Sequence, residues 1–126
     1  MPQVIIHASR SIAPENCSQL VQQIRASIPE LLNVPEHIGQ VVLYQSPEKN
    51  RSTHPSRDRN FIVAEVMMYP GRTKEMKQSF LENLVRLLHK YSGVDAKDIN
   101  CLIHKIPSEN WSGGVSHKYI EDTNKM

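Results

Sequence analysis

The sequence predicts an α+β fold in which two tandem βαβ units form a four-stranded mixed sheet with both helices on one face. Three observations predict it. An offset of 60 residues aligns the two halves without gaps, pairing Leu20 with Phe80, Val21 with Leu81, Ile24 with Leu84 and Ile28 with Leu88. The paired apolar positions share one helical phase, and runs rich in β-branched residues flank them. Right-handed crossovers in both units then put the two helices on the same side of the sheet.

Each element follows in order. Val4-Ile5-Ile6 sits in a short apolar run, the first strand. Pro14 suits the first turn of a helix, where its missing N–H costs nothing. Cys17, Leu20, Val21, Ile24 and Ile28 continue from it as an amphipathic stripe. Residues Asn33 to His37, with Pro35, form a turn, and the β-rich run from Gln40 to Gln45 follows. In the second half, Phe61 to Met68 is the strand and Pro70-Gly71 breaks it. Thr73 caps the next helix, with Glu75 in its first turn. Its apolar face is Met76, Phe80, Leu84, Leu87, Leu88 and Tyr91; Ser92-Gly93 ends it, and Ile99 to Ile106 is the last strand. Repeat one therefore spans 2–47, a connecting loop 48–60, repeat two 61–114 and a polar tail 115–126. Strands such as Val41 to Tyr44 and Ile62 to Met68 are apolar on both sides, so the second sheet face requires cover, most simply from copies of the chain.

Composition excludes several classes. With 126 residues, 39% apolar and 22% charged, the chain is one globular domain and not a disordered one. A net charge of +2 is too small to argue for a nucleic-acid surface. No stretch has the length of a membrane span, and no basic start leads into an apolar segment, so a cytoplasmic protein with no membrane partner is expected. Cys17 and Cys101 stand far apart and read as plain thiols of a reducing compartment. The histidines show no zinc-ligand spacing, and neither a phosphate-binding glycine loop nor a Ser-His-Asp arrangement is present; no metal and no cofactor are expected.

Three pieces carry a family resemblance. The chain opens Met1-Pro2 directly into a strand. The stretch Pro70-Gly71-Arg72-Thr73-Lys74-Glu75-Met76-Lys77 is similar to the helix start of 4-oxalocrotonate tautomerase. Residues Ile106 to Gly114 resemble that enzyme's final strand, aromatic residue and glycine turn. In this order, on a duplicated βαβ frame, they resemble the tautomerase superfamily. The chain is most similar to its fused two-repeat members, the malonate semialdehyde decarboxylase, cis-3-chloroacrylic acid dehalogenase and macrophage migration inhibitory factor types. The stretch Arg57 to Phe61 also resembles the decarboxylase group.

The resemblance implies a cofactor-free site in a homotrimer, near a subunit boundary. Removal of Met1 makes Pro2 a free secondary amine. An α-amine titrates at about 7.7–8.0, and an apolar pocket or a nearby arginine disfavours its charged form. A neutral amine is then a general base for a carbon acid beside a carbonyl. Arg72 would grip a substrate carboxylate through two parallel hydrogen bonds. Asn100 stands where 4-oxalocrotonate tautomerase has a second arginine, and it donates a hydrogen bond without charge. Trp111 stands where that enzyme has a pocket phenylalanine, and His37 falls near the acidic residue of the decarboxylase-like members. Tyr69 and Pro70 occupy the neighbourhood of those members' second arginine, and Arg57 or Arg59 could fold back from the loop to supply a charge. The counterparts of Pro2 and Arg72 in the other half are Ile62 and Ile12, so one such site per chain is expected. The expected activity is keto–enol tautomerisation of a small 2-oxo acid or aryl enol. A decarboxylase or hydratase on the same frame, a non-catalytic trimeric binding protein and a ferredoxin-like binding domain are the competing readings.

Overall fold

The computed structural model describes residues 2–113; Met1, Gly114 and the tail 115–126 lie outside the described residues. The elements run β1 (Gln3–Ser9), α1 (Pro14–Leu32), β2 (Gln40–Ser46), β3 (Ile62–Met68), α2 (Lys74–Ser92) and β4 (Ile99–Lys105), with short 3-10 turns at Glu48–Asn50, Ala96–Asp98 and Ser108–Asn110. The sheet order is β2-β1-β3-β4. β1 pairs parallel with β2 and β3 parallel with β4, as two βαβ units require. The two units join through an antiparallel β1–β3 pair, with Gln3 opposite Met67 and His7 opposite Val63.

Both helices begin and end as their sequences dictate. Pro14 occupies the first turn of α1, and the Thr73 side chain accepts from the Met76 N–H at the start of α2. Gly93 closes α2 in the left-handed region, and its N–H donates to the His89 carbonyl. α1 runs through Pro29 to Leu32, beyond the last apolar position of its stripe. Pro29 lacks a donor, but its carbonyl accepts from both Asn33 and Val34, so the last turn closes despite the ring.

One core lies between the helices and the sheet. Leu20, Ile24, Ile28 and Leu32 of α1 and Phe80, Leu84, Leu87 and Leu88 of α2 pack on Val4, Ile6, Ile62, Ala64, Val66 and Met68. Each fully buried large side chain here stabilises the fold by about 1.5–3 kcal/mol. Alternation sends Ile5, His7, Val42, Tyr44, Glu65, Leu102 and His104 to the other sheet face. No described helix covers that face. Among the described residues the three most exposed large apolar side chains, Val42 (40%), Tyr44 (59%) and Leu102 (48%), all lie on it.

At the centre of this face the Glu65 carboxylate joins three strands. Nε2 of His7 lies 2.8 Å from one carboxylate oxygen, and Nε2 of His104 lies 3.1 Å from the other. These hydrogen bonds hold the Glu65 carboxyl below its ordinary range. A lowered folded-state value gives stability that is present above the ordinary carboxylate range and lost as pH falls through the lowered one. The melting temperature of the protein is therefore expected to fall more steeply below pH 4.5 than that of Glu65→Gln, and melting curves of both between pH 6 and pH 3 check this.

The loop between the units is tied down by one side chain. Arg51 is only 9% exposed. Its Nε donates to the Arg59 carbonyl at 2.7 Å, its Nη1 to Ser46 Oγ at 2.7 Å and its Nη2 to the Phe61 carbonyl, while the guanidinium lies 4.1 Å from the centre of the Phe61 ring. Arg51→Ala leaves these acceptors without their donor and should destabilise the fold by about 1–3 kcal/mol in urea denaturation.

Candidate active site at the Pro2 end of the sheet

The β1–β3 register sets what meets at each end of the sheet. Pro2, directly before β1, lies level with the end of β3. Its carbonyl accepts the Gln40 N–H at 3.3 Å, so the start of β2 joins it, and Pro2 is buried. The Met68 carbonyl accepts the Ile106 N–H at 2.8 Å, which carries β4 and the following turn to the same end.

Arg72 is supplied by the β3–α2 turn. Gly71, at φ +116°, takes a conformation that residues with a Cβ avoid, and so swings the chain out of the strand just before the arginine. The Arg72 Nε donates to the Leu32 carbonyl at the end of α1, and Nη1 to the Tyr69 carbonyl, each at 3.4 Å. Two of the five guanidinium donors are spent on these carbonyls, which leaves three for a ligand. Burial lowers the Arg72 pKa, yet a guanidinium stays charged under any ordinary condition. Arg72 lines a groove of about 360 Å³ with Leu32, Asn33, Pro70, Gly71 and Met76.

Trp111 also comes to this end. Its ring packs at 56° on that of Tyr69, centre to centre 5.1 Å, a tilted aromatic contact. Tyr69 is 7% exposed and thus touches both candidates, Trp111 through its ring and Arg72 through its carbonyl.

His37 is exposed on the α1–β2 turn, at the same end as Pro2. The Arg25 Nη2 braces that turn by donating to the Glu36 carbonyl at 2.6 Å. Asn100 is different. It pairs with Val63 at the start of β3, opposite His7 and so five residues along the strand from Pro2, or roughly 16 Å at the rise of an extended chain. A single chain therefore gathers Pro2, Arg72, Trp111 and His37 at one end and holds Asn100 towards the other. Arg57 and Arg59 are also at the far end, where they donate to the Lys97 carbonyl at 2.8 Å and to Glu48 at 3.3 Å.

Tyr69 and Gln40, which local pattern does not single out, also stand at this end, Tyr69 against Trp111 and Arg72 and Gln40 through its N–H on the Pro2 carbonyl. The repeat offset held a signal for both: it pairs Gln40 with Asn100, and Tyr69 with Ser9, a position that is aromatic only in the second half. The thiols add no nucleophile here. Burial pushes Cys17 up and Cys101 up to about 11, which keeps both protonated at neutral pH.

The family model for the tautomerase enzymes matches residues 40–114, and the chain belongs to that family. A 2-hydroxymuconate tautomerase from Comamonas testosteroni is 36% identical over 58 residues, which are 45% of this chain and 92% of that enzyme. That relative is thus the size of one half of this chain. Among solved structures, FG41 malonate semialdehyde decarboxylase inhibited by 3-bromopropiolate superposes with a TM-score of 0.77 at 19% identity, over 95% of each chain. A symmetric trimer of fused 4-OT superposes with a TM-score of 0.81 at 17% identity, over 92% of this chain and 96% of that one.

Gly71→Ala tests the turn. No atom lies within 4 Å of the added Cβ, so the whole cost is conformational, on the order of 1–3 kcal/mol. A chemical denaturation series that shows no loss would contradict the positive φ on which the placement of Arg72 rests.

Proposed function

We propose that this protein is a cofactor-free keto–enol tautomerase of a small 2-oxo acid or aryl enol, with Pro2 as general base and Arg72 as the carboxylate grip. The observation that carries the reading is the convergence of Pro2 and Arg72 on one sheet end, in a chain of the tautomerase family. Processing of Met1 frees the Pro2 nitrogen. Burial of Pro2 disfavours a protonated amine, which favours a nitrogen that acts as a base near neutral pH. Arg72 orients the carboxylate and withdraws charge as the enolate develops. The proton removed from one carbon returns to another from the same nitrogen, and the amine ends as it began.

A homotrimer goes with this reading. The uncovered sheet face carries the three large exposed apolar side chains, and fused 4-OT of the same fold is a trimer. Asn100, remote from its own Pro2, joins a site only when a neighbouring subunit presents it, and there it would donate to the substrate's carbonyl oxygen.

Decarboxylation is the second reading, supported by the likeness to malonate semialdehyde decarboxylase. It calls for a second cation beside Pro2. Arg57 and Arg59 are engaged at the opposite end of the chain, so within one subunit neither supplies that cation.

Ultraviolet assays of enol ketonisation test the proposal, with the processed N-terminus confirmed by intact mass. Pro2→Ala and Arg72→Ala should each lower kcat/KM by about 10²-fold or more. A mature mass that still includes Met1, or full activity in Pro2→Ala, overturns the reading.

A further inference from the structure

The two ends of the sheet share one backbone plan and carry opposite chemistry. At the Pro2 end stand Pro2, Tyr69, Arg72 and Trp111. The 60-residue offset matches these, in order, to Ile62, Ser9, Ile12 and Arg51 at the other end. There, Ile62 is a mid-chain residue with no exposed surface, Ile12 is buried, and the Arg51 guanidinium fills the space with hydrogen bonds to Ser46 and to the Arg59 and Phe61 carbonyls. That end folds without an aromatic pair. The fold therefore does not require Tyr69 and Trp111 to be aromatic, and the pair occurs only where the candidate base and the candidate carboxylate grip also occur.

Tyr69 joins the parts of that end. Its ring sets the plane of Trp111, and its carbonyl takes one of the two hydrogen bonds that hold Arg72. It is buried, directly follows the central strand β3, and leaves Trp111 more exposed than itself. Tyr69 thus touches both Trp111 and Arg72, and the distance between ring and guanidinium is set through it. Alongside the Arg72 guanidinium, an aromatic wall favours a carboxylate whose far end is planar and apolar.

We propose that Tyr69 is a positioning residue that selects for aryl-bearing 2-oxo acids by fixing the Trp111 ring relative to the Arg72 guanidinium. The inference deepens the tautomerase reading and rests on it for the identity of the site. Trp111 is the single tryptophan of the chain, so intrinsic fluorescence reports the contact independently of turnover.

The experiment measures solvent deuterium exchange next to the carbonyl of phenylpyruvate and of 2-oxobutanoate, with fluorescence of the same samples. In Tyr69→Leu the Trp111 emission should shift to the red. KM for phenylpyruvate should rise about tenfold, KM for 2-oxobutanoate by less than about threefold, and Tyr69→Phe should restore both emission and KM ratio. An unmoved emission, or an equal loss for both substrates, overturns the proposal, because a purely structural role would affect both alike. If Tyr69→Leu does not fold, Trp111→Leu breaks the same contact and must change the KM ratio in the same direction. If the wild type exchanges neither substrate, the tautomerase reading fails. Quenching of Trp111 by phenylpyruvate then decides the role of Tyr69: binding about tenfold weaker in Tyr69→Leu supports it, and equal binding overturns it.

Discussion

The antiparallel pairing of β1 with β3 is the constraint on which the rest of the molecule depends. Each βαβ unit is internally parallel, so a unit alone would keep the start of its first strand and the turn after that strand at opposite ends. The central antiparallel pair inverts one unit against the other. Each end of the sheet then collects the strand start of one half and the strand–helix turn of the other. Pro2 from the first half meets Arg72 from the second for this reason, and Ile62 meets Ile12 at the far end by the same rule.

Much of this frame was legible in the sequence because both its periodicities are local. The stripes of Leu20, Ile24 and Ile28 and of Phe80, Leu84 and Leu88 marked two helices, and the repeat offset required the strands to be equivalent. Thr73 and Gly93 marked the bounds of α2 through side-chain and backbone chemistry that neighbours cannot easily override. The end of α1 was harder to read. Pro29 looks like a helix breaker, yet it falls in the last turn, where its carbonyl still serves the closing N–H groups.

The site was legible only in part, because a site is a property of register and not of spacing. Pro2 and Arg72 could be named from residue type and turn context. That Asn100 belongs to the other end depends on its pairing with Val63, which no local pattern reveals. Tyr69 was hidden for a related reason. In sequence it is one more apolar residue at the end of a strand. Its importance comes from contact with Trp111, 42 positions further on, and from a carbonyl that any residue type would supply. Arg51 shows the converse: a charged residue in an irregular loop suggests solvent, but three acceptors and an aromatic ring make burial favourable.

Duplication into one chain changes what evolution can vary. Two identical units related by the antiparallel pair must carry the same residues at both ends of the sheet. A fused pair need not, and this chain has used that freedom fully. One end has been closed, with aliphatic side chains at two of the matched positions and a buried guanidinium that makes three hydrogen bonds at a third. The other end keeps a cation with donors to spare and an aromatic wall. The Glu65 cluster shows the same divergence on the open face, since its counterpart in the first half is Ile5, and only the second-half carboxylate can engage His7 and His104 together. Loss of symmetry thus confines the candidate chemistry to one end, and it lets the residues around that end be optimised without a matching cost at the other.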